Sequence, residues 1–96
     1  MNLTLTALES RLLKAWIVNT CNEMGGESVE DVLADNFSWI TATDLNELTK
    51  LPVPVIKGLL GSLTKKGLCA PEGGDHKDLL DLTDEGVKIA FSILEQ

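Results

Sequence analysis

The stretch from Thr43 to Gly67, TDLNELTKLPVPVIKGLLGSLTKKG, decides the fold of this chain. A helix is predicted to begin at Thr43-Asp44, because leucines follow at spacings of three: Leu45, Leu48 and Leu51. Pro52 and Pro54 end that helix and restart the chain, because proline cannot continue a helix but suits a first turn. An apolar stripe at i, i+3, i+4 and i+7 then predicts a second helix over residues 54–66, and this stripe consists of Ile56, Leu59, Leu60 and Leu63.

The residues before this stretch predict two further helices and a short strand. Thr6 and Glu9 have the spacing of a capping box, and helical apolar spacing follows over about residues 6–24, up to Gly25-Gly26. Ser28 with Asp31 opens a short polar helix that runs to about residue 33. The aromatic and β-branched segment at residues 37–41 suits a brief strand.

The residues after this stretch predict a β-hairpin and a last helix. Residues 68–72 and 77–82 are two short extended segments joined by a turn at residues 73–75. Thr83 can cap a helix over roughly residues 84–95. The chain is long enough for one core, so we expect a single domain over residues 1–96, of α+β class and mainly α.

This order of elements resembles the winged helix-turn-helix regulators of MarR-like type and their small phage and prophage relatives. The resemblance covers about residues 39–90 and is most specific in GLLGSLTKKGLC, at residues 58–69, and LTDEG, at residues 82–86. It implies that the helix at residues 54–66 lies in the major groove of DNA and that the hairpin forms the wing. The function it implies is that of a DNA-binding transcriptional regulator.

The charge pattern agrees with this expectation, although the net charge of −7 at first speaks against a nucleic-acid partner. Residues 1–48 carry −6 and residues 72–96 carry −5, whereas residues 49–71 hold four lysines and no acid. Lysines neutralise phosphates whatever the base sequence. The expected contacts with duplex DNA are Lys50, Lys57, Ser62, Lys65, Lys66 and Lys77.

The outward positions of the predicted recognition helix are 54, 57, 58, 61 and 65, with Ser62 at the margin. They include no Arg, and Gly58 and Gly61 have no side chain to read bases. The two glycines would let the helix approach a phosphate backbone or a partner helix closely, or they are merely tolerated there.

Other functions find little support in the sequence. No nucleophile elbow, phosphate-binding loop or Cys/His pairing is present, so we expect no enzyme, metal or cofactor. Cys21 and Cys69 lie too far apart in sequence for a zinc pattern and are expected to be free thiols. No apolar run approaches the ~18 residues of a membrane span, and the amino terminus lacks a signal-peptide pattern, so we expect a cytoplasmic protein.

The last helix has apolar residues over an unusually wide arc, which predicts a homodimer formed by the first and last helices. The expected interface residues are Trp16, Ile89 and Ile93. The alternative is that this second apolar side packs on the first helix within the monomer. A second possible function is a winged-helix module that binds another protein, such as a polymerase subunit or a host factor, and does not bind DNA.

Overall fold

The computed structural model describes residues 5–24, 28–34, 38–71 and 79–95, which form five helices and two strands. The mainly helical chain with one antiparallel strand pair confirms the predicted α+β class. In chain order the elements are α1 Ala7–Met24, α2 Val29–Ala34, α3 Ala42–Thr49, α4 Val53–Lys65, β1 Cys69–Pro71, β2 Leu80–Leu82 and α5 Asp84–Leu94.

Side-chain hydrogen bonds cap the beginnings of α1, α2 and α5. At α1 the Thr6 N–H donates to Glu9 Oε1 at 2.9 Å and the Glu9 N–H donates to Thr6 Oγ1 at 3.1 Å, as the capping box predicts. Before α2, Ser28 Oγ accepts from the Asp31 N–H at 3.2 Å. Thr83 caps α5 by accepting from the Gly86 N–H at 3.1 Å.

The start of α3 differs from the prediction. Thr41 is its N-cap and forms a capping box with Asp44, so the helix begins at Ala42 and not at Thr43. The predicted strand at residues 37–41 is therefore shortened, because Thr41 is the N-cap of α3. In the described part of this segment, Ile40 alone makes a β-bridge, with backbone bonds of 2.9 and 3.0 Å to Leu80.

The strand pair lies beside this bridge. β1 and β2 are antiparallel, with Cys69 opposite Leu82 and Pro71 opposite Leu80. Leu80 thus has β1 on one side and Ile40 on the other. The predicted hairpin turn at residues 73–75 and the predicted helix stop at Gly25-Gly26 lie outside the described residues.

One hydrophobic core joins all five helices. α1 crosses its centre and buries four side chains completely: Leu12, Leu13, Trp16 and Ile17. α4 contributes Ile56, Leu60 and Leu63, and α5 contributes Val87, Ala90 and Phe91. Every predicted stripe residue of α4 except Leu59 is buried, and Leu59 is half-buried, so this helix sits on the core through the predicted side.

Burial within the monomer corrects one of the expected dimer-interface residues, Trp16. Trp16 is completely buried inside the monomer, where its Nε1 donates to the Ser38 carbonyl at 2.6 Å, and it is not available to a second subunit. Ile89 and Ile93 are half-buried and pack against the same core. α5 also packs on α1 within the monomer, which is the alternative stated for its wide apolar arc, and the homodimer stays a prediction.

Candidate nucleic-acid interface

The exposed side of α4 carries no acidic residue. It consists of Pro54, Val55, Lys57, Gly58, Gly61, Thr64 and Lys65. All five predicted outward positions are in this set, so the predicted orientation of the helix is confirmed. The chain has fifteen acidic residues, but none of them is on α4. A polyanion that approached this side of α4 would therefore meet two lysines and no carboxylate of the same helix.

A three-residue turn fixes α4 relative to α3. Lys50 adopts a left-handed backbone conformation with φ of 64°, which ends α3, and its N–H donates to the Asn46 carbonyl at 2.8 Å. The Asn46 side chain donates to the Leu51 carbonyl at 2.6 Å, and the Leu51 N–H donates to Thr49 Oγ1 at 3.2 Å. These bonds give backbone groups of the turn hydrogen-bond partners close by in sequence. The Lys50 side chain is exposed at the junction of the two helices.

The end of α3 is also held from α1. The Arg11 guanidinium donates to the Thr49 carbonyl. Its positive charge is stabilised there by the negative end of the α3 dipole. Arg11 therefore joins the end of α3, directly before the α3–α4 turn, to α1.

Two of the predicted DNA contacts are bound to a buried carboxylate. Glu9 of α1 is 1% exposed; its carboxylate accepts from Ser62 Oγ at 2.8 Å and from Lys66 Nζ at 2.8 and 3.0 Å. Ser62 thus points to the α1 side of α4, and 26% of the Lys66 side chain is exposed. The structure places both residues in the packing of α4 on α1 and not on the exposed side with Lys57.

Glu9 remains ionised in this position. Burial alone would raise its pKa, but hydrogen bonds from Lys66, the Thr6 N–H and Ser62, together with the charge of Lys66, outweigh burial and lower the pKa to about 2. The sequence identified Glu9 as a capping residue but contained no signal for its pairing with Lys66, 57 positions later.

Three of the predicted lysines remain exposed: Lys50, Lys57 and Lys65. Lys77 lies outside the described residues. Lys57 lines an open cleft of about 520 Å³ together with Thr41 and Thr43 at the start of α3, Val53 at the start of α4, and Leu80. An ammonium group and threonine hydroxyls are hydrogen-bond donors that suit a phosphate oxygen.

The strand pair is fastened to α5 through the two motifs that carry the family resemblance. Thr83 Oγ1 donates to the Gly67 carbonyl at 2.6 Å, and Gly67 has φ of 77°, which favours glycine. A Cβ at Gly86 would lie 1.8 Å from the Leu68 carbonyl oxygen, so α5 approaches this backbone too closely for any side chain. Gly86 belongs to the LTDEG motif, but the sequence contains no signal for its close approach to Leu68.

Cys69 is a thiol, as the sequence predicts, and burial raises its pKa. Within residues 5–24, 28–34, 38–71 and 79–95, no three His, Cys, Asp or Glu side chains lie close enough to hold a metal ion. None of the helices described is both long enough and apolar enough to span a membrane.

Comparison of the chain with protein-family models, with curated proteins and with solved structures found no significant match.

Proposed function

We propose that this protein is a winged helix-turn-helix DNA-binding protein in which α3, the turn at residues 50–52 and α4 form the helix-turn-helix. The observation that supports this proposal best is the acid-free exposed side of α4 on an otherwise acidic chain. α4 would enter the major groove, and the strand pair would be the base of the wing. The biological role that we propose is transcriptional regulation.

The side chains on this surface favour contacts with phosphates over contacts with bases. Lys57, Lys65 and Lys50 are point charges, whereas bidentate base reading uses mainly Arg, Asn or Gln. The outward positions 58 and 61 are glycines, which cannot read base edges. We therefore propose binding of low sequence specificity, with affinity that depends strongly on salt.

The cleft beside Lys57 gives this mode of binding a defined contact. A phosphate placed there would meet the Lys57 ammonium and the hydroxyl of Thr43, at the positive end of the α3 dipole. Asp44 accepts from the Thr41 N–H, and its negative charge offsets the positive end of the α3 dipole. Attraction of a phosphate to this cleft thus comes mainly from the Lys57 ammonium group. Lys57 is therefore the residue on which we expect binding to depend most.

The test is fluorescence anisotropy with a random-sequence duplex at low salt. Lys57→Glu and Lys65→Glu should each weaken binding by at least about tenfold, because each replaces attraction to a phosphate by repulsion. Lys88→Glu is the matched control, since it changes the net charge equally but lies on α5, exposed beside Glu85. Equal losses in all three variants would mean that only net charge matters, and no binding by the wild type would reject the proposal.

The alternative function, a module that binds another protein and no DNA, is favoured by a different surface. Val18, Trp39 and Leu48 are exposed apolar side chains on the side of α1 and α3. If wild-type protein does not bind the duplex even at low salt, this alternative becomes the leading proposal.

A further inference from the structure

The first turn of α4 has an apolar exposed surface. Pro54 and Val55 are both exposed, with 39% of Val55 open to solvent. At about 100° per residue, Pro54 lies in the middle of the exposed side of α4, together with Gly58 and Lys65. Val55 and Lys57 lie at the two opposite edges of that side. Because helical side chains tilt toward the N-terminus, those of Pro54 and Val55 surround the tip of the helix.

The exposed side of α4 has little capacity for hydrogen bonds with bases. Thr64 Oγ1 donates at 2.7 Å to the backbone carbonyl four residues earlier, and Ser62 Oγ donates to the Glu9 carboxylate at 2.8 Å. Both hydroxyl protons are thus used within the protein. The helix contains no Asn, Gln, Asp or Glu, the side chains that read adenine or cytosine. The exposed side therefore offers DNA the ammonium groups of Lys57 and Lys65 and the apolar first turn.

The start of α4 is also a poor site for a phosphate. Its N-cap is Pro52, which provides no side-chain hydrogen bond, and Pro54 has no N–H. The first turn thus lacks one of the backbone donors with which a helix start binds an anion. In a DNA groove, this tip is better suited to the base edges than to the backbone.

The major groove offers an apolar tip one matching feature, the C5-methyl group of thymine. The first residues of a recognition helix are also those that reach the base edges. We infer that Pro54 and Val55 contact thymine methyl groups and give the protein a preference for thymine in the major groove. The preference rests on the proposed function, because lysines hold the phosphates whatever the sequence and the apolar tip adds a modest discrimination.

Deoxyuridine is the probe for this contact, since it pairs with adenine as thymine does and lacks only the methyl group. Anisotropy titrations compare duplexes of one A·T-rich sequence made with thymine or with deoxyuridine. The wild type should bind the thymine duplex about threefold to fivefold more tightly, which is the effect of burying one methyl group. Both duplexes should give the same salt slope, because their phosphates are identical.

A second pair of duplexes separates contact with the methyl group from the shape of the DNA. In a G·C-rich duplex, replacing cytosine by 5-methylcytosine puts a methyl group on the corresponding pyrimidine carbon in the major groove. Wild-type binding should tighten by a similar factor. Because the deformability of DNA depends on its base steps, the two pairs of duplexes differ in shape and share only the added methyl group. A preference seen with thymine and absent with 5-methylcytosine would assign it to DNA shape and overturn the inference.

The double variant Pro54→Ser, Val55→Ser removes the apolar tip and leaves the lysines in place. It should bind the thymine and deoxyuridine duplexes equally, with the salt slope of the wild type. Val18→Ser is the control, because Val18 is 39% exposed, as Val55 is, but lies on α1; this variant should keep the wild-type preference. Circular dichroism checks that both variants are folded.

The outcomes distinguish this inference from the proposed function. Equal binding of the thymine and deoxyuridine duplexes by the wild type overturns the methyl contact, while salt-dependent binding that is lost in Lys57→Glu would still support the proposed function. A preference that survives in the double variant also overturns the assignment to Pro54 and Val55. A wild type that binds none of the duplexes at low salt rejects both proposals.

Discussion

Glu9 shows at the scale of a single residue how one side chain can have two roles in a fold. Its capping of α1 depends on Thr6, three residues before it, and such a local pattern is visible in sequence. Its second role depends on Ser62 and Lys66, which reach it because α1 packs on α4. The sequence places Ser62 and Lys66 near the DNA-facing side of the helix, because helical spacing alone does not reveal a buried anion on a neighbouring helix.

The lowered pKa of Glu9 predicts a loss of stability in acid. Above pH 4.5 its carboxylate is charged in both the folded and the unfolded chain, and its ion pair contributes fully. Between pH 4.5 and about 2 the unfolded chain binds a proton that the folded chain does not, so the free energy of unfolding falls as the pH falls. At about pH 6, Glu9→Gln should cost on the order of 2 kcal/mol, because Lys66 loses its partner.

Urea unfolding at about pH 6 and about pH 3 measures this effect. The wild type should lose more stability between these two pH values than Glu9→Gln does, because only the wild type has the Glu9 carboxylate. The other carboxylates titrate in both proteins, so their contribution is the same. Equal losses would show that Glu9 does not carry the lowered pKa.

At the scale of elements, the sequence predicts well those features that local chemistry determines. The caps at Thr6, Ser28 and Thr83 are local, as are Pro52 at the N-cap of α4 and Pro54 in its first turn, and each marks a helix start in the structure. The strand at residues 37–41 depends on pairing with a distant segment. Its β-propensity is overridden where Thr41 caps α3, and in the described part of the segment the bridge of Ile40 to Leu80 remains.

Replacement of glycine by alanine should change the free energy of unfolding in opposite directions on α5 and on α4. In α5, Gly86→Ala should lower the free energy of unfolding by about 3 kcal/mol or more, because its Cβ would meet the Leu68 carbonyl oxygen at 1.8 Å. In α4, an added Cβ at Gly58 or Gly61 would meet no described atom within 4 Å. Each substitution there should raise stability by up to about 1 kcal/mol, since alanine favours the helix.

Thermal unfolding measures these changes, at about 4–8 °C per kcal/mol for a domain of this size. A destabilising effect of Gly58→Ala or Gly61→Ala would contradict the exposed position of that side of α4. The same two variants test the role of the glycines in DNA binding. Weaker binding by a more stable variant would show that the α4 backbone approaches DNA closely, and unchanged binding would show that the glycines are merely tolerated.

At the scale of the whole molecule, the net charge of −7 is less informative than its distribution. The sequence divides it into segments of −6, +4 and −5, and the structure then divides the four lysines of the middle segment. Lys66 is bound to Glu9, whereas Lys50, Lys57 and Lys65 are exposed. Helical spacing predicts that Lys57 and Lys65 point outward, but the binding of Lys66 to Glu9 depends on how α1 and α4 pack and was not available from the sequence.

The salt dependence of DNA binding should count the lysines that face phosphate. Three exposed lysines predict a slope of log K against log salt of up to about −2.7 per subunit, and removal of any one of them by alanine should reduce it by about 0.9. Lys66 should not contribute, because its ammonium group neutralises Glu9. The double variant Glu9→Leu, Lys66→Met removes this pair without changing the net charge, and circular dichroism checks that it is folded at the temperature used. Anisotropy titrations at several salt concentrations should give it the wild-type slope; a slope reduced by about 0.9 would place Lys66 on the DNA and contradict its structural assignment to Glu9.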